Sequence, residues 1–225
     1  MKRLYSLCTG LMLCAISFAQ TFTSVFEGQT LYFQVLSSQE QTVALVAPPK
    51  GKYKGEIYKI PTNVQYSGIE YIVIEIGDKA FNKCKKLQTV ILPESLKTIG
   101  IQAFYQCPMI TQIQFPDGLE EIMTQAFAGT RLERIEIPST VKIIGALAFF
   151  SFNKTVGQPT RIKWISIPNS VEEIGDHAFN RFVNGYGAWK ASKCHVASLP
   201  EWVTDSEAKR IGIHEDSYQE YKNKQ

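Results

Sequence analysis

Cysteine and histidine are the side chains that most often carry nucleophilic or metal chemistry. After residue 19 the sequence has three of each: Cys84, Cys107, Cys194, His177, His195 and His214. None of them has the Cys-x-x-Cys or His-x-x-x-His spacing of a metal site. Cys194 and His195 are neighbours, and neighbouring side chains of a strand point to opposite faces, so they are a poor nucleophile and base pair. We find no catalytic triad or carboxylate pair either, and we expect no enzymatic activity, metal or cofactor.

The first nineteen residues have the features of an export signal. Lys2 and Arg3 precede a mostly apolar run that ends at Ser17-Phe18-Ala19, which has small residues where signal peptidase requires them. Both cysteines of this run follow leucine, which disfavours lipid anchoring. We predict a signal peptide over 1–19, no membrane span after cleavage, and a secreted, cell-surface or periplasmic location; an uncleaved anchor is the alternative.

The net charge argues against nucleic acid or an anionic membrane as the partner. The whole chain has a formal charge of +3, and the predicted signal carries two of the 24 basic residues, so 22 basic residues face 21 acidic ones in the remainder. A balance this close to zero gives no electrostatic attraction over the molecule as a whole.

Two markers repeat along the middle of the chain. Ala-Phe occurs at 80–81, 103–104, 126–127, 148–149 and 178–179, and four of the phenylalanines stand eleven residues after a proline: Pro93, Pro116, Pro138 and Pro168. An Ile-Gly pair lies between the two markers in most units, and Met123 replaces its glycine in one. A period of 22 to 30 residues with apolar positions in the order L-x-x-L-x-L indicates a leucine-rich-repeat solenoid.

Each unit should contribute one short strand with an inward and an outward side. The inward sets are Leu87, Val90, Leu92; Ile110, Ile113, Phe115; Leu132, Ile135, Ile137; and Ile162, Ile165, Ile167. The outward residues alternate with them and form two columns: Thr89, Gln112, Arg134, Trp164 and Ile91, Gln114, Glu136, Ser166. Lys97, Glu120, Lys142 and Glu172 share another phase and alternate in sign, which suits ion pairs between coils.

The unit I-P-x-x-[LV]-x-x-I-G-x-x-A-F-x-x-C-x-x-L-x-x-[IV] resembles the BspA-like class of bacterial leucine-rich repeats. Residues 60–71 and 212–222 are similar to the segments that open and close such proteins. The resemblance implies a β-rich solenoid of about five coils of 22 to 30 residues. It also implies an exported protein. Several such proteins of host-associated anaerobic bacteria are taken to be adhesins that bind host proteins.

These features give four predicted regions: a signal peptide at 1–19, an N-terminal β cap at 20–60, leucine-rich repeats at 61–182 and a C-terminal cap at 183–225. In the first cap, residues 30–36 and 42–46 are separated by Ser-Ser-Gln-Glu-Gln and should form a β-hairpin. The second cap should contain a strand and a short helix. The insertion from Ser151 to Thr160 is polar and should protrude as a loop.

Cys84 and Cys107 occupy one phase of consecutive coils, and later coils place Phe152 and Phe182 there. A position shared by cysteine and phenylalanine is expected to be interior, so these are predicted to be buried thiols. A disulfide between the two coils is the alternative, because neighbouring strands are close enough to bridge.

The predicted function is that of an exported protein-binding, adhesin-like module whose partner is a protein, such as a host extracellular or envelope protein. The eight outward residues are its candidate site, with Trp164, Arg134 and Ile91 as the informative members, since tryptophan and arginine often carry binding energy. The alternative is a carbohydrate-binding accessory protein of the cell envelope, which would require an aromatic row on the sheet, and Trp164 is its one candidate.

Overall fold

The computed structural model describes residues 20–153, 162–183, 188–190 and 194–225. The predicted signal peptide therefore lies outside the described residues. The strands are β1 Thr21–Phe26, β2 Gln29–Ser37, β3 Thr42–Val46, β4 Ile57–Lys59, β5 Asn63–Tyr66, β6 Ile69–Ile76, β7 Thr89–Ile91, β8 Thr98–Ile99, β9 Glu121–Ile122, β10 Arg134–Glu136, β11 Ile143–Ile144, β12 Ser151–Asn153, β13 Trp164–Ser166, β14 Glu173–Ile174, β15 Arg181–Val183, β16 Ala188–Lys190 and β17 His195–Ser198. The helices are α1 Asp205–Ile211 and α2 Glu215–Lys222.

An antiparallel β meander opens the fold. The predicted hairpin is confirmed, because β2 pairs with β3, and β1 adds a further antiparallel strand beside β2. β3 then runs parallel to β6, the second strand of the hairpin β5–β6. The meander therefore covers the first open edge of the solenoid with backbone hydrogen bonds, which protects that edge from association with other chains.

The solenoid has parallel strands on its back and on its front, and a further parallel pair, β12 and β15, in its last coils. On the back, β6, β8, β9, β11 and β14 form a continuous parallel ladder. On the front, β4 pairs with β7, and β10, β13 and β17 form a separate three-stranded sheet. The predicted inward residues are buried, apart from the partly buried Ile113. The repeat pattern predicts the front strands; most turns also contribute a short strand to the back ladder, which the pattern did not predict.

The Ala-Phe dipeptides lie on the arc that joins back to front, and their rings form a stack through the core. Phe81, Phe104, Phe127, Phe149 and Phe179 are buried, with successive centroids 5.2, 5.1, 5.5 and 5.5 Å apart and planes within 10°. The residue before each dipeptide has a left-handed backbone, which turns the chain into the arc. Five stacked rings delimit about four full turns, so the predicted count of five coils is slightly high.

The repeated glycine allows one coil to approach the next. A Cβ on Gly145 would lie 2.6 Å from the Met123 carbonyl carbon, and one on Gly100 would lie 2.7 Å from an Asp78 carboxylate oxygen. Real Cβ atoms do not approach other atoms so closely. The Ile-Gly pair of the repeat therefore combines an inward isoleucine with a backbone contact between neighbouring coils.

The C-terminal end is closed by two helices, where one was predicted. Backbone N–H groups of His177 and Phe179 donate to carbonyls of Arg210 and Ile211, so the end of α1 continues the stack of arcs. Thr204 caps α1, and Gly212 ends it in the left-handed conformation. The Tyr218 hydroxyl of α2 donates to the carbonyl of Val203, just before α1, and so connects the second helix to the start of the first.

Two predictions of local structure need correction. The insertion predicted as a loop begins with a strand, since β12 at Ser151–Asn153 pairs in parallel with β15; residues 154–161 lie outside the described residues. Gln112–Gln114 was predicted as a front strand, but it forms none. We attribute this to Phe115, which occupies an inward position that isoleucine or leucine holds in other coils. Its ring meets Phe127 edge-on at 5.6 Å and Phe149 at 6.4 Å, and it needs more room than an aliphatic side chain.

Candidate functional site

The thiols of Cys84, Cys107 and Cys194 are buried and form no disulfide. The burial of Cys84 and Cys107 was predicted from their shared phase. Burial raises the pKa of Cys84, and it raises the pKa of Cys107 and of Cys194 to about 12. The Cys107 thiol donates to the Phe81 carbonyl at 3.0 Å. A buried, protonated thiol is a poor nucleophile, so these residues serve as small core side chains.

Cys194 and His195 point to opposite sides of their segment, because Cys194 is buried and His195 is exposed. The Cys194 backbone N–H donates to the Ser217 hydroxyl, which anchors it to α2. Among the residues that the structure describes, no group of three or more His, Cys, Asp or Glu side chains could hold a metal ion.

The eight predicted site residues all lie on one surface, which we call the front face. It comprises the outward side chains of β4, β7, Gln112–Gln114, β10, β13 and β17. Arg134 is paired in register with Trp164, and Glu136 with Ser166. Six of the eight residues are exposed, whereas Trp164 and Ser166 are half-buried. The outward and inward assignment made from the repeat is therefore correct for these positions, although Gln112 and Gln114 belong to an irregular segment.

The irregular segment opens two clefts in the front face. The backbone N–H groups of Gln112, Ile113 and Gln114 donate to no acceptor in the described part of the chain. One cleft, of about 400 Å³, separates Gln112–Gln114 from β7, and another, of about 460 Å³, separates it from β10. Between them these clefts are lined by six predicted site residues: Thr89, Ile91, Gln112, Gln114, Arg134 and Glu136.

The facing edges of β7 and β10 are consequently open. Each of these strands has its ladder partner on the far side, β4 for β7 and β13 for β10. Open strand edges carry unpaired N–H and C=O groups, which can bind the backbone of another chain.

Arg134 and Trp164 form a stacked pair beside the second cleft. The guanidinium carbon of Arg134 lies 3.4 Å from the ring centroid of Trp164, a cation–π contact between neighbouring strands. Arg134 also forms an ion pair with Glu136 at 3.1 Å. The two contacts fix the planar guanidinium, which lowers the entropy that a partner must remove on binding.

The structure adds front-face residues that the sequence analysis did not select. Ile57 and Lys59 of β4 pair with Thr89 and Ile91, although 20–60 was assigned to the N-terminal cap. At the other end, His195 pairs with Trp164, which places a titratable side chain beside the indole. The signal for Ile57 was available, since Ile57-Tyr58-Lys59 is followed by Ile60-Pro61 just as β7 is followed by Leu92-Pro93.

Short parallel strands that recur from turn to turn, together with a periodic phenylalanine and glycine core, define a leucine-rich-repeat solenoid. The model of the BspA type leucine-rich-repeat region matches residues 57–181 in six copies. This is more than half of the chain, so the protein belongs to the BspA-type leucine-rich-repeat family, as its repeat unit predicts. Members are typically surface or exported repeat proteins, and in general they are non-enzymatic scaffolds. A comparison with curated proteins found no match.

Solved structures of bacterial leucine-rich-repeat proteins have the same fold. A leucine-rich repeat protein from Bacteroides ovatus is 27% identical with a TM-score of 0.58, over 76% of this chain and 40% of that one. This chain thus spans well under half of that protein. The Leucine Rich Repeat protein of T. pallidum is 22% identical with a TM-score of 0.56, over 85% of this chain and 91% of that one, and it supports the fold alone.

Proposed function

We propose that this protein is an exported binding module that holds a protein partner on its front face. The observation that carries the proposal is the pair of clefts on either side of Gln112–Gln114, which are lined by six of the eight predicted site residues. No helix in the described part of the chain is long and apolar enough to cross a membrane. The proposal of export depends on the predicted signal peptide and on the usual surface or exported location of family members.

The chemistry of the clefts suits a protein more than a small substrate. Their lining combines exposed Gln, Arg and Glu side chains with the edges of apolar residues such as Ile113. Open backbone groups on β7 and β10 can bind an extended segment of a partner, while the clefts accept its side chains. The partner that fits is a protein with an exposed extended loop or terminus, which includes the host and envelope proteins expected of an adhesin-like module.

The carbohydrate alternative depends on Trp164. Arg134 covers one face of its indole ring at 3.4 Å, so a sugar could stack only on the opposite face. Single-sided stacking on a half-buried ring is a weaker platform than the aromatic row that the alternative would require. We therefore place protein binding first.

The test is a binding measurement on the secreted chain with candidate extracellular-matrix and envelope proteins, beside an array of neutral glycans. Once a partner is found, Trp164→Ala and Arg134→Ala should each weaken binding by more than about 1 kcal/mol, which is about fivefold. Arg134→Lys keeps the charge and removes the planar stack, so it should weaken binding nearly as much. Lys142→Ala, on a different side of the coil, is the matched control.

Unchanged affinity in both alanine variants would refute the front-face site. It would direct attention to the insertion from Ser151 to Thr160 instead. A loss of thermal stability that accounts for the loss of affinity would also count against a binding role for Arg134 and Trp164. Binding only to neutral glycans, abolished by Trp164→Ala, would favour the carbohydrate alternative.

A further inference from the structure

The near-neutral total charge conceals a separation of charge within the molecule. After residue 19 there are 22 basic and 21 acidic residues, and segments 50–56 and 78–86 contain seven of the basic ones but only two of the acidic ones. The two segments together carry +5, and the rest of this region, with 15 basic and 19 acidic residues, carries −4. The seven basic residues are all lysines: Lys50, Lys52, Lys54, Lys79, Lys83, Lys85 and Lys86.

The two segments lie side by side, since the Gln88 backbone N–H donates to the Glu56 carbonyl at 2.7 Å, and we call their seven lysines the lysine patch. Lys52 and Lys54 flank the buried Tyr53, while Lys83 and Lys85 flank the buried Cys84. The ring centroids of Tyr53 and Phe81 lie 4.8 Å apart, so the two lysine pairs project from neighbouring segments. All seven lysines are exposed. Burial raises the pKa of the Cys84 thiol, and the positive charge of Lys52 opposes that rise, which is consistent with this proximity.

In the described part of the chain, no carboxylate forms an ion pair with a lysine of the patch; Glu56 and Asp78, in the same segments, accept hydrogen bonds from Gln88 and from the Ile101 N–H. Six other lysines in the described part of the chain form ion pairs with Asp or Glu: Lys59, Lys97, Lys142, Lys163, Lys222 and Lys224. None of the seven patch lysines does so within the same described residues; Lys85 donates instead to the Gln106 carbonyl at 3.3 Å. Like charges held close together repel one another, so an external anion would be attracted to this surface.

We propose that the lysine patch binds a sulfated polysaccharide. The aromatic rings within the two segments, those of Tyr53 and Phe81, are buried and offer no platform on which nucleic-acid bases could stack. Neither patch segment exposes a large apolar side chain that could enter a membrane. Lysine ammonium groups attract sulfate as point charges, and the partly exposed amide of Gln106 in the next coil is suited to sugar hydroxyls.

This site is distinct from the front-face site of the proposed function, and its test is independent. The probe is immobilised heparin, a sulfated polysaccharide, with elution by increasing NaCl. The patch variant carries Lys→Gln at Lys52, Lys54, Lys83, Lys85 and Lys86. The control variant carries Lys→Gln at Lys97, Lys142, Lys163, Lys222 and Lys224, so both lose five positive charges.

The wild-type chain and the control variant should be retained, whereas the patch variant should bind at least about tenfold more weakly and lose most of its salt dependence. Thermal unfolding should show both variants folded, since the replaced side chains are exposed. Arg134→Ala should leave heparin binding unchanged, which separates this proposal from the front-face proposal.

Three results would overturn the proposal. Failure of the wild-type chain to bind heparin at low salt would do so directly. Equal losses in the two variants would mean that total charge, rather than the patch, governs binding. Tighter binding to single-stranded DNA or to vesicles of anionic phospholipid than to heparin, at the same salt, would assign the patch to one of those ligands instead.

Discussion

Replacing one ring of the phenylalanine stack should destabilise the whole solenoid. Phe127 is fully buried between Phe104 at 5.1 Å and Phe149 at 5.5 Å, and Phe115 meets it edge-on at 5.6 Å. Replacing a buried Phe by Ala typically costs about 3 to 5 kcal/mol, and three ring contacts place Phe127→Ala near the upper end, at about 4 to 5 kcal/mol. This is a large part of the total stability of about 5 to 15 kcal/mol that is usual for a domain.

Urea unfolding followed by far-ultraviolet circular dichroism measures this loss. In a solenoid each coil contacts only its neighbours, so a cavity at the central ring should also uncouple the two halves and lower the apparent m-value or produce two transitions. Phe127→Leu, which keeps most of the apolar volume, should cost less and remain cooperative. A loss below about 1.5 kcal/mol for Phe127→Ala, with an unchanged m-value, would show that the stack does not hold the coils together.

Two further changes test the core. Gly145→Ala should lower the thermal midpoint clearly, because its Cβ would lie 2.6 Å from the Met123 carbonyl carbon. Gly118→Ala should lower the midpoint less, because the nearest atom to its Cβ would be 3.1 Å away. Equal midpoints for the two variants would contradict this reasoning. Because burial raises the pKa of the Cys107 and Cys194 thiols from an ordinary 9.0 to about 12, the free energy of unfolding should hold below pH 9 and fall as the pH rises towards 12. Iodoacetamide should label these thiols only after denaturation, and rapid native labelling would place them in contact with water.

Periodicity predicts the core of this fold because repetition constrains it. Each inward residue and each Ala-Phe dipeptide occurs in several equivalent positions, so a single physical explanation accounts for all of them. The ion pairs between coils were predictable for the same reason: Lys97 pairs with Glu120 at 2.8 Å and Lys142 with Glu172 at 3.2 Å. The ends of the molecule break the repeat, which is why β1 and helix α1 were not anticipated.

The candidate site was predictable only in part. Alternation along a strand is enough to place Arg134 and Trp164 on the same face, but it does not show that their side chains stack. The lysine patch was missed because strand β4 and the hairpin β5–β6 separate 50–56 from 78–86 in the sequence, and only the folded chain brings the two segments together. A net charge counted over the entire sequence cannot register such a local excess.

The openness of the front face is tied to the packing of the core. The back ladder continues through this coil, since the Glu120 and Glu121 backbone N–H groups both donate to the Lys97 carbonyl, at 2.8 and 3.0 Å. This coil is therefore hydrogen-bonded to the preceding coil on the back, whereas its front segment, Gln112–Gln114, forms no strand. Phe115 contacts both Phe127 and Phe149 from the front, so the same ring that reinforces the stack displaces the backbone of Gln112–Gln114 from its neighbours. In this chain, one large inward side chain thus accompanies the change from a closed parallel sheet to a surface with two clefts.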